Sequence, residues 1–304
     1  MRAVTVSTFG GPENVEITEA PLPEPAAGEL RIRTRAAAVH PADAAVRSGA
    51  VAAYLPPRPE HRLGWDLAGV VDAVGAEVTG FRPGQEVIGL SHWFRTHNGV
   101  HAEYAVLPAG AVAAAPAGVS PVVAAALPLN GLTAAQALDA TGLTAGQTLL
   151  VTGAAGNLGG LALQLATARD LDVLALAGPE DREFVTAHGG RWVDRDDLAR
   201  LALLAPEGVH AVLDTALLGP ALLPHLLPGT VFVAVRPTSD LPADTRLTVI
   251  DVVPDGERLA ELAALVTDGA LTVRVDTAVP FTEAAKAHAR LAERGVRGAV
   301  VLTF

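Results

Sequence analysis

Residues 148–160 carry a spacing of small residues that suits phosphate binding. Ala154, Gly156 and Gly159 occupy the three positions of the dinucleotide fingerprint G-x-G-x-x-G, with alanine in place of the first glycine. Small residues let the backbone approach a pyrophosphate, and the N-terminus of a following helix offers it N–H groups and a partial positive charge. We favour a dinucleotide site over a purely structural turn, which would also require glycine.

The elements on either side of these small residues must position them. Residues 149–152 form the apolar and β-branched run of a short buried strand, and residues 158–169 have the periodicity of a helix. A strand, a tight turn and a helix are the context that the fingerprint requires. We expect the turn to contact the cofactor through Gly153, Ala154, Ala155, Gly156, Asn157, Leu158 and Gly159.

The composition excludes several classes of protein. The 304 residues are 50% hydrophobic and 18% charged, which excludes a disordered chain and suggests about two domains. A net charge of −11 without a basic run argues against nucleic acid or an anionic membrane as partner. We expect no membrane span and a cytoplasmic protein, since Gly, Pro or charge interrupts each apolar stretch. Without cysteine there are no disulfides, thiolate nucleophiles or Cys-bearing zinc sites.

Short strands separated by turn residues predict a β-rich, barrel-like domain over residues 1–115. In residues 30–36, Leu30, Ile32 and Ala36 alternate with arginines, so one face of this strand is buried and the other is a solvated face. Further apolar runs at 67–74, 86–90 and 100–107 are separated by Gly and Pro.

From residue 116 the pattern changes to helices that alternate with apolar runs. Strands that are apolar on both faces and separated by helices predict a parallel sheet covered on both sides, a doubly wound α/β fold. We assign residues 116–269 to this dinucleotide-binding domain. Residues 270–304 should return to the β-rich domain, which leaves a ligand cleft between the two. The expected elements include a helix over 219–226, a helix over 256–267 and a strand over 271–275.

Several motifs agree with one family. They are PAAGELRIR (25–33), HPAD (40–43), GWDLAGVV (64–71), GVHAEY (99–104), NGLTA (130–134), the fingerprint, and RGAVVL (297–302). In this order they resemble medium-chain dehydrogenase/reductases, specifically the zinc-free quinone oxidoreductase and enoyl reductase branch. The resemblance implies a GroES-like substrate domain, a Rossmann domain, NADPH as hydride donor, and a quinone, enone or enoyl thioester as small-molecule substrate.

The same resemblance implies a site without metal. Zinc alcohol dehydrogenases of this superfamily have cysteine where this chain has His40 and histidine where it has Trp65. His40 with Asp66 falls short of three well-placed ligands, so we expect no catalytic zinc. Hydride addition to an activated alkene is then more accessible than alcohol oxidation, because the developing enolate is delocalised. The other eight histidines show no ligand spacing, and we expect them on the surface or in local hydrogen bonds.

Two residues are candidates for the chemistry of the substrate carbonyl. His40 or Tyr54 would hydrogen-bond the carbonyl or protonate the enolate. Alternatively, His40 only positions the nicotinamide ribose and Tyr54 is a surface aromatic. Asp43 and Arg47 are expected to pair with each other or to hold their segment in place. We expect the substrate pocket to include Asp43, Trp65, Trp93 and Asn130, with a dimer contact or ordinary packing as the alternatives for Trp93.

The choice of nicotinamide cofactor depends on the end of the second Rossmann strand. Gly178 stands where NAD enzymes usually present a carboxylate to the ribose. Room at Gly178 followed by Arg182 suits a 2′-phosphate, although Glu180 and Asp181 add negative charge to this loop. We therefore expect NADPH in preference to NADH. Further contacts to the cofactor are expected from Asn130, Thr133, Thr215, Val235 and Arg236.

Two other functions stay open. One is an enoyl-thioester or natural-product tailoring reductase, which belongs to the same class of enzyme. The other is an NADPH-binding protein with a non-redox cyclisation or non-catalytic role, because this fold hosts more than one function. We expect a homodimer, which is the common default for soluble enzymes.

Overall fold

The computed structural model describes residues 1–238, 241–242, 245–293 and 295–304, which form two compact units. The first unit contains Met1–Leu132 and Val253–Phe304, and the second contains Thr133–Val252. We placed the boundaries at 115/116 and 269/270 from the sequence. The first boundary lies later and the second earlier than these, so the inserted unit is shorter than expected.

The first part of the chain consists mainly of strands, and helices and strands alternate through most of the rest. The strands are β1 (Arg2–Val6), β2 (Glu16–Glu19), β3 (Glu29–Val39), β4 (His61–Arg62), β5 (Asp66–Val74), β6 (Glu86–Leu90), β7 (Tyr104–Pro108), β8 (Val112–Ala114), β9 (Thr148–Thr152), β10 (Asp172–Ala177), β11 (Arg191–Asp194), β12 (Val209–Asp214), β13 (Leu226–Ala234), β14 (Arg246–Val249), β15 (Val275–Pro280) and β16 (Ala299–Thr303). The α-helices are α1 (Pro41–Ser48), α2 (Trp93–Thr96), α3 (Pro121–Ala124), α4 (Pro128–Thr141), α5 (Asn157–Thr167), α6 (Arg182–Ala187), α7 (Arg200–Leu204), α8 (Gly256–Thr267) and α9 (Ala284–Leu291).

The described part of the first unit is built on two β-sheets. One has the order β2–β1–β4, and the other has the order β15–β16–β3–β5–β6–β8, with β7 also paired to β3. The last strand runs antiparallel to β3, with Val300 opposite Val39, so the chain returns to its first domain at its end. The predicted strand over 271–275 is wrong, because pairing with β16 starts only at Val275.

β3 has the alternation expected of residues 30–36. Leu30 and Ile32 are fully buried in the core of the first unit. On the opposite face, Arg31 pairs with Asp72 at 2.6 Å and with Glu24 at 2.9 Å. The arginines of this strand therefore form a solvated face with surface ion pairs, each worth little to stability.

The described strands of the second unit form one parallel sheet in the order β11–β10–β9–β12–β13–β14. Counted from β9, this is the 3-2-1-4-5-6 order of dinucleotide-binding sheets. Leu150, Val212 and Phe232 are fully buried in its core. Burial of this kind is expected of parallel strands that are apolar on both faces and covered on both sides. The predicted α/β fold class with a doubly wound parallel sheet is confirmed.

One predicted helix of the second unit is wrong in type. Residues 219–226 were expected to form an α-helix, but Gly219–His225 is a 3-10 helix. Pro220 and Pro224 lack the backbone N–H that an α-helical ladder uses, which explains the tighter and less regular conformation.

Among the described residues, Pro121–Thr141 is a helical stretch that is long and apolar enough to cross a membrane. We expected no such stretch from the sequence. Of its apolar window, 67% is buried inside the protein, and a core helix passes the same test of length and composition.

His288 on α9 departs from our expectation for the remaining histidines. It is fully buried, and neither ring nitrogen has a hydrogen-bond partner among the described residues. Burial is the main cause that lowers the pKa of His288 to about 4; Asp43 opposes the shift, and the charges of His101 and Arg47 add to it. His288 therefore stays neutral in the folded protein at pH values at which an exposed histidine would take up a proton.

We expect the free energy of unfolding to fall as the pH falls from about 6.5 to about 4. In that window the unfolded chain binds a proton at His288 and the folded chain does not, so protonation favours unfolding. Each pH unit between the two pKa values is worth about 1.4 kcal/mol, which gives a loss of roughly 3 kcal/mol at pH 4. Urea unfolding of wild type and His288→Leu at pH values across this range measures the fall in the free energy of unfolding. Equal pH dependence in the two proteins would contradict the assignment.

Candidate functional site

His40 lies at the junction of β3 and α1, where the chain turns from strand to helix. Its backbone N–H donates to Asp43 Oδ2 at 2.9 Å, and the other oxygen of Asp43 accepts the N–H of Gly64 at 2.8 Å. Asp43 is 1% exposed. Through these two hydrogen bonds it ties the start of α1 to the residues that precede β5. Arg47 donates instead to the carbonyl of Gly10 at 2.6 Å. Of our two expectations for Asp43, the geometry favours holding the segment in place.

The antiparallel pairing of β3 with β5, together with the hydrogen bonds of Asp43, brings His40 to Asp66, the first residue of β5. His40 Nε2 lies 2.8 Å from Asp66 Oδ1, and these side chains are 5% and 0% exposed. The second oxygen of Asp66 accepts the N–H of Leu129 at 2.9 Å. The amide nitrogen of Asn130 lies 3.4 Å from His40 Nδ1. We call His40, Asp66 and Asn130 the His40 site; all three belong to the first unit.

The electrostatics of this site favour a protonated imidazole. Burial alone would lower the pKa of His40, but the charge and hydrogen bond of Asp66, with the charge of Asp43, raise the pKa above its ordinary value. A buried cation is stable only with such a partner. His40 can therefore act as a general acid at a pH where an exposed histidine has lost its proton.

The tryptophans expected at the pocket are buried next to each other. Trp65 is 4% exposed, its ring centroid lies 6.0 Å from that of Trp93, and its indole N–H has no hydrogen-bond partner among the described residues. Trp93 is 1% exposed and donates its indole N–H to the carbonyl of Arg62 at 2.8 Å. Trp93 is thus a core residue, whereas Trp65, adjacent to Asp66, carries a buried donor that a ligand oxygen could satisfy.

Tyr54 is not brought to the His40 site. It ends a short 3-10 turn, Ala52–Tyr54, and 80% of it is exposed. Its hydroxyl makes no hydrogen bond with any residue that the structure describes. This placement matches the alternative of a surface aromatic, and it leaves His40 as the candidate that the geometry supports.

The fingerprint forms a cradle between β9 and α5 in the second unit. Gly153 has a φ of 62°, the left-handed region that glycine adopts without strain, and Gly156 is the N-cap of α5 without a side-chain cap. A Cβ on Gly159 would lie 2.3 Å from the carbonyl oxygen of Gly153, so only glycine permits this approach of helix and turn. The backbone N–H groups at the start of α5 and the lack of side chains fit a pyrophosphate.

Of the other predicted cofactor residues, Thr215 contacts the fingerprint directly. Thr215 Oγ1 donates to the carbonyl of Thr152 at 2.6 Å. A Cβ on Gly153 would lie 2.7 Å from this hydroxyl oxygen of Thr215. Arg236 and Leu217 contribute to a cavity of about 150 Å³ past the ends of β12 and β13. Thr133, on α4, is 8% exposed.

The loop after β10 carries charges of both signs. A Cβ on Gly178 would lie 2.6 Å from a carboxylate oxygen of Glu180, and that carboxylate is 3.8 Å from the guanidinium of Arg195. The guanidinium of Arg182 lies over the ring of Trp192, 5.4 Å from its centroid. Arg182 and Arg195 therefore both lie near the position where NAD enzymes bind the adenosine ribose.

A zinc ion does not fit the residues that the structure describes. None of them form a group of three or more His, Asp or Glu that could hold a metal ion, and the chain has no cysteine. His40 Nε2, a potential ligand atom, is bonded to Asp66. Two donors fall short of the three protein ligands of catalytic zinc sites.

Two residues of these sites were missed from the sequence. From the sequence, Asp66 was weighed only as a possible zinc ligand in a set that falls short of three, and Arg195 was not considered. An acid at the head of an apolar strand is a usable signal for Asp66, because a buried carboxylate requires a partner. Arg195 directly follows β11, whose carboxyl end lies beside that of β10 in a parallel sheet.

Comparisons with known proteins identify the family of the chain. The family model for the alcohol dehydrogenase GroES-like domain matches residues 26–117, and the model for zinc-binding dehydrogenase matches residues 191–302. A chloroplastic quinone oxidoreductase of Triphysaria versicolor is 29% identical over 99% of this chain and 98% of its own length.

Solved structures share the whole fold. An NAD-dependent alcohol dehydrogenase is 32% identical, with a TM-score of 0.86 over the full length of both chains. A mycobacterial protein solved in complex with NADPH is 27% identical, with a TM-score of 0.84 over the full length of both chains. The chain therefore belongs to the medium-chain dehydrogenase/reductase superfamily, in its quinone oxidoreductase branch.

Proposed function

We propose that this protein is a zinc-independent, NADPH-dependent reductase that transfers hydride to a quinone or another conjugated carbonyl. The observation that carries the proposal is the buried His40–Asp66 pair, joined at 2.8 Å in a chain whose described residues do not fit a catalytic zinc. A conjugated carbonyl that receives hydride develops negative charge on oxygen, and a protonated His40 is a group that can neutralise it.

The residues divide the work between the two units. In the second unit, the cradle around Gly156 and Gly159 would hold the pyrophosphate, with Thr215 beside it. When bound, the nicotinamide supplies the hydride. In the first unit, His40 would hydrogen-bond the substrate oxygen and donate the proton.

The preference for NADPH is supported by the two arginines after β10 and β11. A 2′-phosphate carries negative charge and several acceptor oxygens, which suit guanidinium groups. Arg195 lies within ion-pair distance of Glu180, the acid that would otherwise repel the phosphate, and the guanidinium of Arg182 lies over the ring of Trp192. Gly178 itself contributes no side chain, and the carboxylate that borders it is that of Glu180, the partner of Arg195.

We expect Arg195→Ala to weaken NADPH binding about tenfold and to change NADH binding less than about threefold. The loss of one charge-assisted hydrogen bond to the phosphate corresponds to about 1.4 kcal/mol or more. Arg200→Ala is the matched control, since Arg200 is an exposed arginine of the same unit. Fluorescence titration with both cofactors measures the affinities. A tighter binding of NADH than of NADPH by wild type would refute the preference.

The proposed activity is tested by NADPH oxidation with a panel of quinones, enones and enoyl thioesters. We expect turnover with at least one class, unchanged after dialysis against a chelator. Turnover only with enoyl thioesters would favour the tailoring-reductase alternative. NADPH binding without oxidation across the panel would favour a non-redox or purely binding role, and loss of turnover on chelation would refute zinc independence.

A further inference from the structure

The contacts of Asp66 define which atom of His40 is free to react. We propose that Asp66 is a positioning residue that holds His40 by Nε2, so that Nδ1, beside Asn130, is the atom that donates the proton to the substrate oxygen. This inference rests on the proposed function, because it assigns the proton of that reaction to one nitrogen.

The carboxylate of Asp66 is fixed by two donors. One oxygen lies 2.8 Å from His40 Nε2, and the other accepts the N–H of Leu129 at 2.9 Å. An ionised carboxylate only accepts hydrogen bonds, so the nitrogen that faces it carries the hydrogen. A neutral His40 is therefore the Nε2–H tautomer, and Nδ1 is the nitrogen that gains or loses the proton.

The residue after Leu129 meets the other end of the ring. Asn130 Nδ2 lies 3.4 Å from His40 Nδ1, and its side chain is only partly buried. The first turn of α4 thus contacts both ends of the pair, the carboxylate through Leu129 and the imidazole through Asn130. A carboxamide donates to neutral Nδ1 through its nitrogen and, when rotated, accepts from protonated Nδ1 through its oxygen, so Asn130 suits both states.

The charged groups that act on His40 are both carboxylates, which are negative. Asp66 faces it from β5, Asp43 from the first turn of α1, and Asn130 from α4 is neutral. Both carboxylates favour the imidazolium form. In the step itself, the Nδ1–H bond breaks, an O–H bond forms on the substrate enolate, and the electron pair stays on Nδ1 while Nε2–H remains with Asp66. Solvent then returns the proton to Nδ1.

The tautomer and the titration of His40 can be measured without turnover. Two-bond 1H–15N spectra of protein labelled with 15N-histidine report both, and His40→Gln assigns the signals. We expect wild type to show neutral His40 as the Nε2–H tautomer and a titration midpoint above those of exposed histidines. Asp66→Asn should lower that midpoint by about one pH unit or more, because it removes the charge and leaves one oxygen for two donors. Asp72→Asn, on the same strand but paired with Arg31, is the control and should change nothing.

The outcomes separate this inference from the proposed function. A wild-type Nδ1–H tautomer would overturn the inference without any variant, and so would an unchanged midpoint in folded Asp66→Asn. With a substrate from the panel, Asp66→Asn should shift the basic limb of the kcat/KM profile to lower pH and change KM less than about threefold. A protein that binds NADPH but reduces no compound of the panel would refute the proposed function, while the spectra would still test the tautomer.

Discussion

His40→Gln is expected to lower kcat/KM for a quinone or enone by at least about 100-fold, because a positioned general acid contributes about 10²–10⁴ to the rate. Glutamine has a similar size and can still hydrogen-bond Asp66, but it cannot donate a proton from an imidazolium. The affinity for NADPH should stay within about threefold, since the cradle belongs to the second unit.

Steady-state kinetics with NADPH in excess measures this loss, and thermal unfolding checks that the variant is folded. Tyr54→Phe is the matched control, because it removes a single hydroxyl from a side chain that is 80% exposed. It should keep kcat/KM within about twofold of wild type. Full turnover in His40→Gln would remove His40 from the chemistry, and a large loss in Tyr54→Phe would restore Tyr54 as a candidate.

Two alanine substitutions in the fingerprint are expected to act in different ways. A Cβ on Gly159 would lie 2.3 Å from the carbonyl oxygen of Gly153, so Gly159→Ala forces the turn and α5 apart. Overpacking of this kind costs about 1–3 kcal/mol, which corresponds to a fall in Tm of roughly 4–10 °C. NADPH binding should weaken as well, because the cradle is deformed.

Gly156→Ala has a milder contact in the protein itself. Its Cβ would lie 3.3 Å from the same carbonyl oxygen, so Tm should change by less than about 3 °C. The second glycine of the fingerprint is the one that lets the backbone approach the pyrophosphate. We therefore expect NADPH affinity to fall about tenfold or more, equivalent to about 1.4 kcal/mol. Fluorescence titration and calorimetry of the two variants measure this contrast; unchanged affinity in both would place the cofactor elsewhere.

The sequence predicted features whose determinants lie close together in the chain. The strand, turn and helix around Gly156 follow from the spacing of a dozen residues, and α8 was predicted with its observed bounds. The parallel sheet followed from strands that are apolar on both faces, since only a sheet covered by helices accommodates them. In these places local propensity and the overall fold agree.

Features that depend on tertiary contacts could not be predicted from local sequence patterns. Asp66 is 26 residues from His40, and the antiparallel pairing of β3 with β5 and the hydrogen bonds of Asp43 bring the two together. The sequence therefore indicated His40 as a candidate but not the carboxylate that keeps it charged. His288 was missed for a related reason, because its burial depends on how α9 packs in the first unit.

Transfer of deuterium from NADPH to an enone distinguishes hydride addition at the β-carbon from reduction of the carbonyl. With NADPH deuterated at both C4 positions and chelator present, the proposed mechanism predicts that deuterium appears on the β-carbon of the saturated ketone. His40 protonates the enolate oxygen, and the resulting enol then loses that proton to water while the α-carbon takes its hydrogen from water. Deuterium on the carbonyl carbon of an alcohol product, or product formation only after zinc is added, would rule out zinc-independent hydride addition to the conjugated system.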